Sequence, residues 1–228
     1  MMILRHKKAF QNTWNKNFIK NIEIQASEKL GIEGRVHFYE QTGALRDFVQ
    51  SHLLELLALV LMKLPKEKNK NIPALRYQAL KDLDIVCDIT KNECVKRAQY
   101  EGYREEVGKE NTMTETFVSI RLSSKDKGWF GVPITLTTGK NLKKKFTKIK
   151  IEHQSGLIDF DFKDKEGVLS AYEQVLLSAI KGDHNFFISS KEVLESWRIL
   201  DEVQNSWQNR KNDLIIYKKG SSIEEVGE

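Results

Sequence analysis

The stretch that decides the fold is Gly43–Met62, GALRDFVQSHLLELLALVLM, which is predicted to form one long helix. From Leu53 onward nine of ten residues are apolar, interrupted only by Glu55, so this helix must be buried on almost all sides. Asp47 and His52 lie five positions apart at its amino end. Polar groups at the entrance of a buried helix are either costly or functional. This pair is therefore the first candidate for a functional site.

Alternating apolar and polar stretches around this helix predict strands at 21–26, 115–122, 133–138, 148–153 and, as an edge, 157–162. Amphipathic stretches predict further helices at 74–83, 167–181 and 190–209, the last with Ser190 as its N-cap. Glycines and polar residues predict loops at 28–35 and 99–111 and a frayed tail at about 220–228. This order indicates an α+β fold, a large mostly antiparallel sheet with helices packed on one face, forming one domain over residues 1–228.

The chain carries a net charge of +5, and much of the excess lies at residues 139–153 and 65–71. A basic cluster of this kind suits either nucleic acid or a small anionic substrate such as a sugar phosphate. No helix-turn-helix, zinc or RNA-recognition pattern accompanies it, so we expect no nucleic acid. A basic nucleic-acid binder stays open as the least favoured alternative.

Several features predict a cytoplasmic protein. The start, MMILRHKKAF, does not read as a signal peptide, and the apolar run of ten residues is about half of a bilayer span, so we expect no membrane contact. Cys87 and Cys94 lie seven apart in a stretch predicted to be helical, which separates them by about 10 Å of helix rise. That separation is too long for a disulfide, so we expect reduced thiols.

Five blocks of the sequence, in the same order, resemble glucose-6-phosphate dehydrogenases. They are WNKNFIKNIEI, SEKLGIEGRVHFYEQTGALRD, RAQYEGYREEVGKENTMTETFVSIRL, WFGVPITLTTGKNLKKK and LESWRILDEVQNSW, spread over about residues 3–220. In the opening stretch the family pattern runs roughly G-a-I-R-D-x-x-Q-N-H-L-L-Q, and Asp47 and His52 match it, whereas Ser51 stands where Asn is usual. The chain resembles the carboxy-terminal (β+α) portion of that family.

The resemblance implies a role for five residues. His52 is similar to the family's general base, and imidazole titrates near neutrality, as a base at working pH must. Glu28 and Asp47 match residues that bind sugar hydroxyls. Lys140 and Lys145 match basic residues on the phosphate side of the substrate.

Two family blocks do not occur in this sequence: a nucleotide-binding loop of the type G-A-S-G-D-L-A, and R-I-D-H-Y-L-G-K-E. The resemblance implies that the cofactor NADP is bound mainly by this missing N-terminal Rossmann domain. It also implies that the aspartate orienting the base belongs to the second block. We therefore assign no cofactor-binding residue and, because the other histidines show no ligand spacing, no metal site. The isolated chain is predicted to be inactive.

The predicted function is that of the catalytic and substrate-binding part of an NADP-dependent glucose-6-phosphate 1-dehydrogenase, an oxidoreductase of the pentose phosphate pathway. The implied partners are glucose 6-phosphate, a second copy in a homodimer formed through the sheet, and a separate N-terminal half. The alternative is a non-catalytic dimerisation, regulatory or sugar-phosphate-binding module derived from the same family. Binding of glucose 6-phosphate measured by calorimetry, and its loss in Asp47→Ala, would separate a working pocket from a vestigial one.

Overall fold

The computed structural model describes residues 10, 12–65, 71–86, 94–162, 171–208, 210 and 213–227. Its helical elements are α1 (Val36–Ala44), a π-helical segment (Leu45–Leu53), α2 (Leu54–Leu61), α3 (Ile72–Lys81), α4 (Tyr103–Val107), α5 (Ala171–Ile180), a short 3-10 turn (His184–Phe186), α6 (Ser190–Gln208) and α7 (Ile223–Gly227). Its strands are β1 (Ile19–Ser27), β2 (Leu83–Ile85), β3 (Val95–Tyr100), β4 (Phe117–Ser124), β5 (Ile134–Gly139), β6 (Phe146–His153), β7 (Gly156–Asp161) and β8 (Leu214–Tyr217).

All eight described strands form one mixed sheet in the order β7-β6-β1-β5-β4-β3-β8, with β2 paired to β4. The pairs β1–β5 and β3–β8 are parallel and the remaining pairs are antiparallel. The predicted α+β class, with a mostly antiparallel sheet, is confirmed. The five predicted strands are confirmed as well, with ends shifted by up to two residues.

The core lies between one face of the sheet and the helices that cover it. Alternate strand residues such as Ile22, Ile24, Ile120 and Leu136 are fully buried there, against the apolar residues of the π-helical segment, α2 and α6. The opposite face is bordered by α7. Its strands carry polar side chains there: Glu23, Gln25, Ser119, Arg121, Thr135 and Thr137. The period-two pattern of the strands therefore sets which face receives the helices.

The predicted helix over 43–63 is buried as expected, but it is not one uniform helix. α1 ends at a kink in which Gly43 adopts φ 61°, and the chain then continues as the π-helical segment before α2 begins. At the far end of α2, the indole nitrogens of Trp14 and Trp129 donate to the carbonyls of Val60 and Leu61, each at 2.9 Å. These bonds satisfy carbonyls that a helix end leaves without partners. Hydrophobic periodicity indicated burial but could not indicate the helix type.

Two local predictions are wrong. The predicted loop over 99–111 contains the end of β3 and the whole of α4, and it buries the side chains of Tyr100 and Tyr103. The tail after Gly220 is not frayed where the structure describes it, because α7 buries Ile223 and Val226. In both places glycine and charged residues outnumber a few aromatic or branched side chains that supply the packing.

The N-cap of α6 is Ser189 rather than Ser190. Its hydroxyl accepts the N–H of Glu192 at 3.4 Å, and a Glu192 carboxylate oxygen accepts the N–H of Ser189 at 2.8 Å, which makes a capping box.

The predicted helix over 167–181 is described from Ala171, and residues 163–170 lie outside the described residues.

The cysteine prediction is also wrong. Cys94 is disulfide-bonded and directly precedes β3, so the rise of a helix does not set its distance to other residues. Cys87 lies outside the described residues.

Among the described residues, none of the helices has the length and apolarity needed to cross a bilayer. The same residues contain no group of His, Cys, Asp and Glu side chains arranged to hold a metal ion.

Candidate active site

Glu28 and Lys140 lie side by side because of the sheet topology. β1 and β5 are parallel neighbours whose last residues, Ser27 and Gly139, are paired, so the next residue of each strand emerges at the same edge. A carboxylate oxygen of Glu28 accepts a hydrogen bond from Lys140 Nζ. Carboxyl ends of adjacent parallel strands are a common place for ligand sites.

Asp47 completes a three-residue charged cluster with Glu28 and Lys140. It comes from the π-helical segment, and its Oδ2 lies 3.5 Å from Lys140 Nζ. We call these three residues the acid–lysine cluster. The sequence-predicted site residues Glu28, Asp47 and Lys140 are thus brought together, although they are distant in the chain.

Lys140 is the buried centre of this cluster. Its side chain is only 4% exposed, whereas those of Glu28 and Asp47 are 31% and 21% exposed. The ammonium group also lies 5.1 Å from the centre of the Tyr39 ring, a cation–π distance. A single ammonium between two partly exposed carboxylates leaves oxygens free to accept hydrogen bonds from hydroxyl groups. The arrangement is suited to a polyhydroxylated ligand.

The sequence did not single out Tyr39, yet its ring packs against the ammonium group of Lys140. Its hydroxyl donates to the carbonyl of Glu115 at 3.5 Å. Burial, and after it the charge of Glu115, raises the pKa of Tyr39 well above its usual value. The phenol therefore stays protonated and neutral beside the ammonium.

Lys145 lies at the same edge of the sheet but is exposed. It directly precedes β6, whose first residue Phe146 pairs with Ser27 of β1. This position is beside Glu28 in the antiparallel register. The described ion pairs of the acid–lysine cluster do not include Lys145.

His52 lies on the same helical segment as Asp47 but does not take part in the ion pairs of the acid–lysine cluster. Its ring is exposed and packs against Phe48, with ring centres 4.7 Å apart. In an α-helix, five residues turn about 140° past one full turn, whereas the i→i+5 bonding of a π-helix makes five residues close to one turn. The π form therefore brings the Asp47 and His52 positions toward one face of the segment.

A cavity of about 780 Å³ opens beside His52. It is lined mainly by apolar residues of the π-helical segment, of α2, of the 3-10 turn and of the chain just after β7 and after that turn: Phe48, Leu56, Leu59, Phe162, Phe186 and Ile188. Its polar lining includes Glu55 and Arg76. We call it the His52 groove.

Arg76, at the base of this groove, lies close to the carboxylates of Glu192 and Glu55. Arg76 Nε donates to Glu192 Oε1 at 2.5 Å and lies 4.0 Å from Glu55 Oε2. Burial, and after it the charge of Glu192, raises the pKa of Glu55 to about 7. Glu55 therefore titrates near neutrality at the wall of the groove, three residues after His52.

The helix α5 lies open beyond the groove. Its apolar side chains are largely exposed, with Tyr172 at 84%, Leu176 at 63% and Ile180 at 82%. Contiguous exposed apolar patches are a feature of protein contact surfaces. We call Tyr172, Val175, Leu176, Leu177 and Ile180 the α5 surface.

A sequence model of the family described as "Glucose-6-phosphate dehydrogenase, C-terminal domain" matches residues 2–158 and 154–225 of this chain. The two stretches together cover nearly its whole length.

Individual members of that family are similar along most of the chain. The glucose-6-phosphate 1-dehydrogenase of Buchnera aphidicola subsp. Schizaphis graminum is 28% identical, over 97% of this chain and 58% of its own length. That of Treponema pallidum is 28% identical over 93% of this chain and 53% of its own length. The chain therefore spans about half the length of the curated relatives it matches.

Solved structures of the family share the fold. Glucose-6-phosphate 1-dehydrogenase from Mycobacterium avium superimposes with a TM-score of 0.79 at 26% identity, over 96% of this chain and 56% of that protein. A glucose-6-phosphate dehydrogenase in complex with its substrate glucose 6-phosphate gives a TM-score of 0.83 over 100% of this chain and 59% of that protein. At 21% identity the second likeness shows the fold alone.

The chain is also shorter than its relatives inside the matched region. The Buchnera alignment has 286 positions and this chain has 228 residues, so at least 58 positions (286 minus 228) of the relative have no counterpart here. The two matches to the family model overlap at residues 154–158, which form the turn after β6 and the first residues of β7. The match to the family model is therefore divided at the start of β7, an edge strand of the sheet.

The matched residues, the shared fold and the extent of the match lead to one conclusion: the chain belongs to the glucose-6-phosphate dehydrogenase family and corresponds to its C-terminal domain.

Proposed function

We propose that the chain is the substrate-binding and proton-accepting part of a glucose-6-phosphate 1-dehydrogenase. The reaction is the oxidation of D-glucose 6-phosphate to 6-phospho-D-glucono-1,5-lactone with NADP, in the pentose phosphate pathway and in the cytoplasm. The observation that carries this proposal is the acid–lysine cluster, in which Glu28 and Asp47 flank the buried Lys140. Glucose 6-phosphate, the substrate in the complex of a solved relative, matches this chemistry.

Each cluster residue has a distinct task in this proposal. Carboxylate oxygens of Glu28 and Asp47 accept hydrogen bonds from sugar hydroxyls. Lys140 donates to the sugar or its phosphate while neutralising the two acids that hold it. Lys145, exposed at the same edge, pairs with the phosphate in solvent-accessible surroundings.

His52 is proposed to accept the proton of the hydroxyl group on C1 as the lactone forms. Imidazole is the side chain best suited to take up and release a proton in general acid–base catalysis, and the His52 ring is exposed to a ligand. In the complete enzyme, bound NADP would supply the acceptor for the hydride. The sequence contains no G-x-G-x-x-G loop, so we assign no residue of this chain to the cofactor.

The complete site is proposed to need an N-terminal portion of the family, supplied as a separate polypeptide or as more of the same one. The chain spans about half of its relatives, and the α5 surface and the His52 groove are apolar and exposed. We propose that this portion packs on these two features. A homodimer formed through the sheet is proposed as well, and sedimentation of the chain in solution tests it.

A calorimetric titration tests substrate binding. The purified chain is expected to bind glucose 6-phosphate more tightly than glucose, and Asp47→Ala is expected to weaken binding at least tenfold because a charge-supported hydrogen bond is lost. Asp159→Ala, which removes an exposed carboxylate on β7, is the matched control. Equal binding by the two variants contradicts the assigned role of Asp47.

The second candidate function is a sugar-phosphate-binding module without catalysis. The observation that favours it is the separation between a fully formed acid–lysine cluster and a groove beside His52 that this chain leaves open. The isolated chain is expected to show no appreciable NADP reduction under either candidate. Turnover on addition of an N-terminal portion, lost in His52→Ala, supports the enzyme, and its absence supports the module. Robust turnover by the chain alone contradicts both.

A further inference from the structure

We infer that Glu115 and Tyr217 are positioning residues that set the distance between Asp47 and Lys140. The inference rests on the proposed sugar-binding role of the acid–lysine cluster. Neither residue belongs to the cluster, and each holds the backbone of one of its two sides.

Glu115 holds the start of the π-helical segment. Its Oε1 accepts the N–H of Leu45 at 2.9 Å, and its carbonyl oxygen accepts the N–H of Ala44 at 2.9 Å. The first N–H groups of a helix have no partner inside the helix, and Ala44, at the N-cap position, has no side chain that could serve. Glu115, which lies just before β4, therefore acts as the cap of this segment. The N–H group that it caps belongs to Leu45, two positions before Asp47.

The kink at Gly43 is shaped around the same carboxylate. A Cβ atom at Gly43 would overlap all three terminal atoms of the Glu115 side chain, and φ at Gly43 is 61°. Glycine is the residue that tolerates both the close approach and the left-handed backbone. The backbone before Asp47 can thus rest directly on Glu115.

Tyr217 holds Lys140 from the other side. Its hydroxyl donates to the carbonyl oxygen of Lys140 at 2.6 Å, and the Lys140 N–H donates to the carbonyl oxygen of Thr116 at 2.9 Å. Both backbone groups of Lys140 are therefore fixed. The next residue, Asn141, has φ 54°, so the chain turns away sharply after this anchor.

The supports of Asp47 and of Lys140 come from consecutive residues, Glu115 and Thr116. Glu115 supports the segment that carries Asp47, and Thr116 supports Lys140 and lies 3.0 Å from the Tyr217 hydroxyl. The 3.5 Å separation of Asp47 Oδ2 and Lys140 Nζ is therefore set by this short stretch as well as by their own attraction. Charged side chains need such support because their mutual attraction alone does not fix one geometry.

Amide hydrogen exchange followed by NMR tests the Glu115 anchor. Glu115→Ala removes the acceptor and is expected to speed exchange of the Leu45 amide about tenfold. Glu115→Gln keeps an acceptor oxygen and is expected to retain protection. Glu110→Ala, on an exposed carboxylate nearby, is the control.

A second measurement does not depend on the alanine variant folding. Burial raises the pKa of Glu115 to about 7, so the Leu45 amide shift in the native chain is expected to titrate near that pH and to lose this step in Glu115→Gln. A step that persists in Glu115→Gln overturns the assignment, as does unchanged Leu45 protection in Glu115→Ala. A packing role alone would not place a titration at that amide.

Affinity for glucose 6-phosphate tests the consequence for the cluster. Glu115→Ala and Tyr217→Phe are each expected to weaken binding about tenfold. Glu115→Gln and Tyr172→Phe, the latter on the exposed α5 surface, are expected to change it little. Full affinity in Tyr217→Phe overturns its role. If the native chain binds no sugar phosphate, the proposed function fails, and the amide data still decide whether Glu115 anchors the segment.

Discussion

The acid–lysine cluster and the His52 groove lie on the same helical segment but are built in opposite ways. The cluster is closed by residues of this chain, because Lys140 is buried between two carboxylates and its backbone is held from both sides. The groove is apolar, bordered by an exposed histidine and by helix α5, whose apolar side chains face solvent. The comparison teaches that the ionic contacts of the acid–lysine cluster are completed within this chain, whereas the apolar side chains of the groove and of α5 are not covered by it.

The largest expected effect on stability comes from removing a buried cation, either Arg76 in the groove or Lys140 in the cluster. Arg76→Met in the groove is expected to lower the free energy of unfolding by about 3–5 kcal/mol, since it leaves the fully buried Glu192 without its cation. Lys140→Met in the cluster is expected to cost less, because its carboxylate partners are 31% and 21% exposed and can be hydrated.

Urea unfolding measures both variants, with Arg104→Met and Lys143→Met as controls on exposed cations. A larger loss for Lys140→Met than for Arg76→Met would reverse the comparison, because the cluster would then be the more deeply desolvated of the two ionic sites.

A smaller effect is expected from pH. The pKa of Glu55 is raised in the folded chain to about 7, by burial and next by the charge of Glu192, so the folded state holds this proton more tightly than the unfolded state. Its contribution to stability is therefore complete below pH 4.5, the ordinary value, and is lost as the pH rises through about 7.

Glu55→Gln is expected to flatten the fall in unfolding free energy between pH 5 and 8 by about 1–2 kcal/mol. Glu115→Gln should flatten it in the same direction, since the pKa of Glu115 is also raised to about 7. Glu106→Gln, on an exposed carboxylate, is the control. An unchanged pH profile in Glu55→Gln would show that the groove is better hydrated than its apolar lining indicates.

The smallest effect on stability is expected at the α5 surface. Leu176→Ser and Ile180→Ser should change the unfolding free energy by less than about 0.5 kcal/mol, because these side chains are 63% and 82% exposed. The same variants are expected to prevent assembly with an N-terminal portion of the family, as measured by sedimentation of the mixture. A loss above about 1 kcal/mol without a partner would show that α5 already packs within this chain.

Much of the sheet could be predicted because alternation in a strand directly reports which face is buried. Ile22 and Ile24 alternate with polar neighbours, and β1, β4, β5, β6 and β7 were all found from such patterns. The short β2 and the terminal β8 carry three and four residues, too few for a period to stand out. β3 was missed because its buried residues include Arg97 and Gln99, which hydrogen bonds rather than hydrophobicity keep inside.

The residues of the candidate site also fall into two groups, those found in the sequence and those found only in the structure. The residues Glu28, Asp47, His52, Lys140 and Lys145 were found in the sequence through a family resemblance, and their roles stay predictions. Glu115 lies in one of the five blocks that carry the resemblance, yet neither it nor Tyr217 was singled out, since their importance comes from contacts with backbone groups seventy or more residues away. Contacts of this kind leave no local pattern to read.

The sequence by itself determined the fold class, the buried helix and the residue types of the cluster, because local periodicity and family motifs are properties of neighbouring positions. The tertiary structure decided three further things: the π-helical turn between Asp47 and His52, the anchoring of the cluster by residues 115 and 217, and the exposure of α5. Each of these depends on which distant segments meet, and burial, hydrogen-bond partners and charge environment are set only when they do.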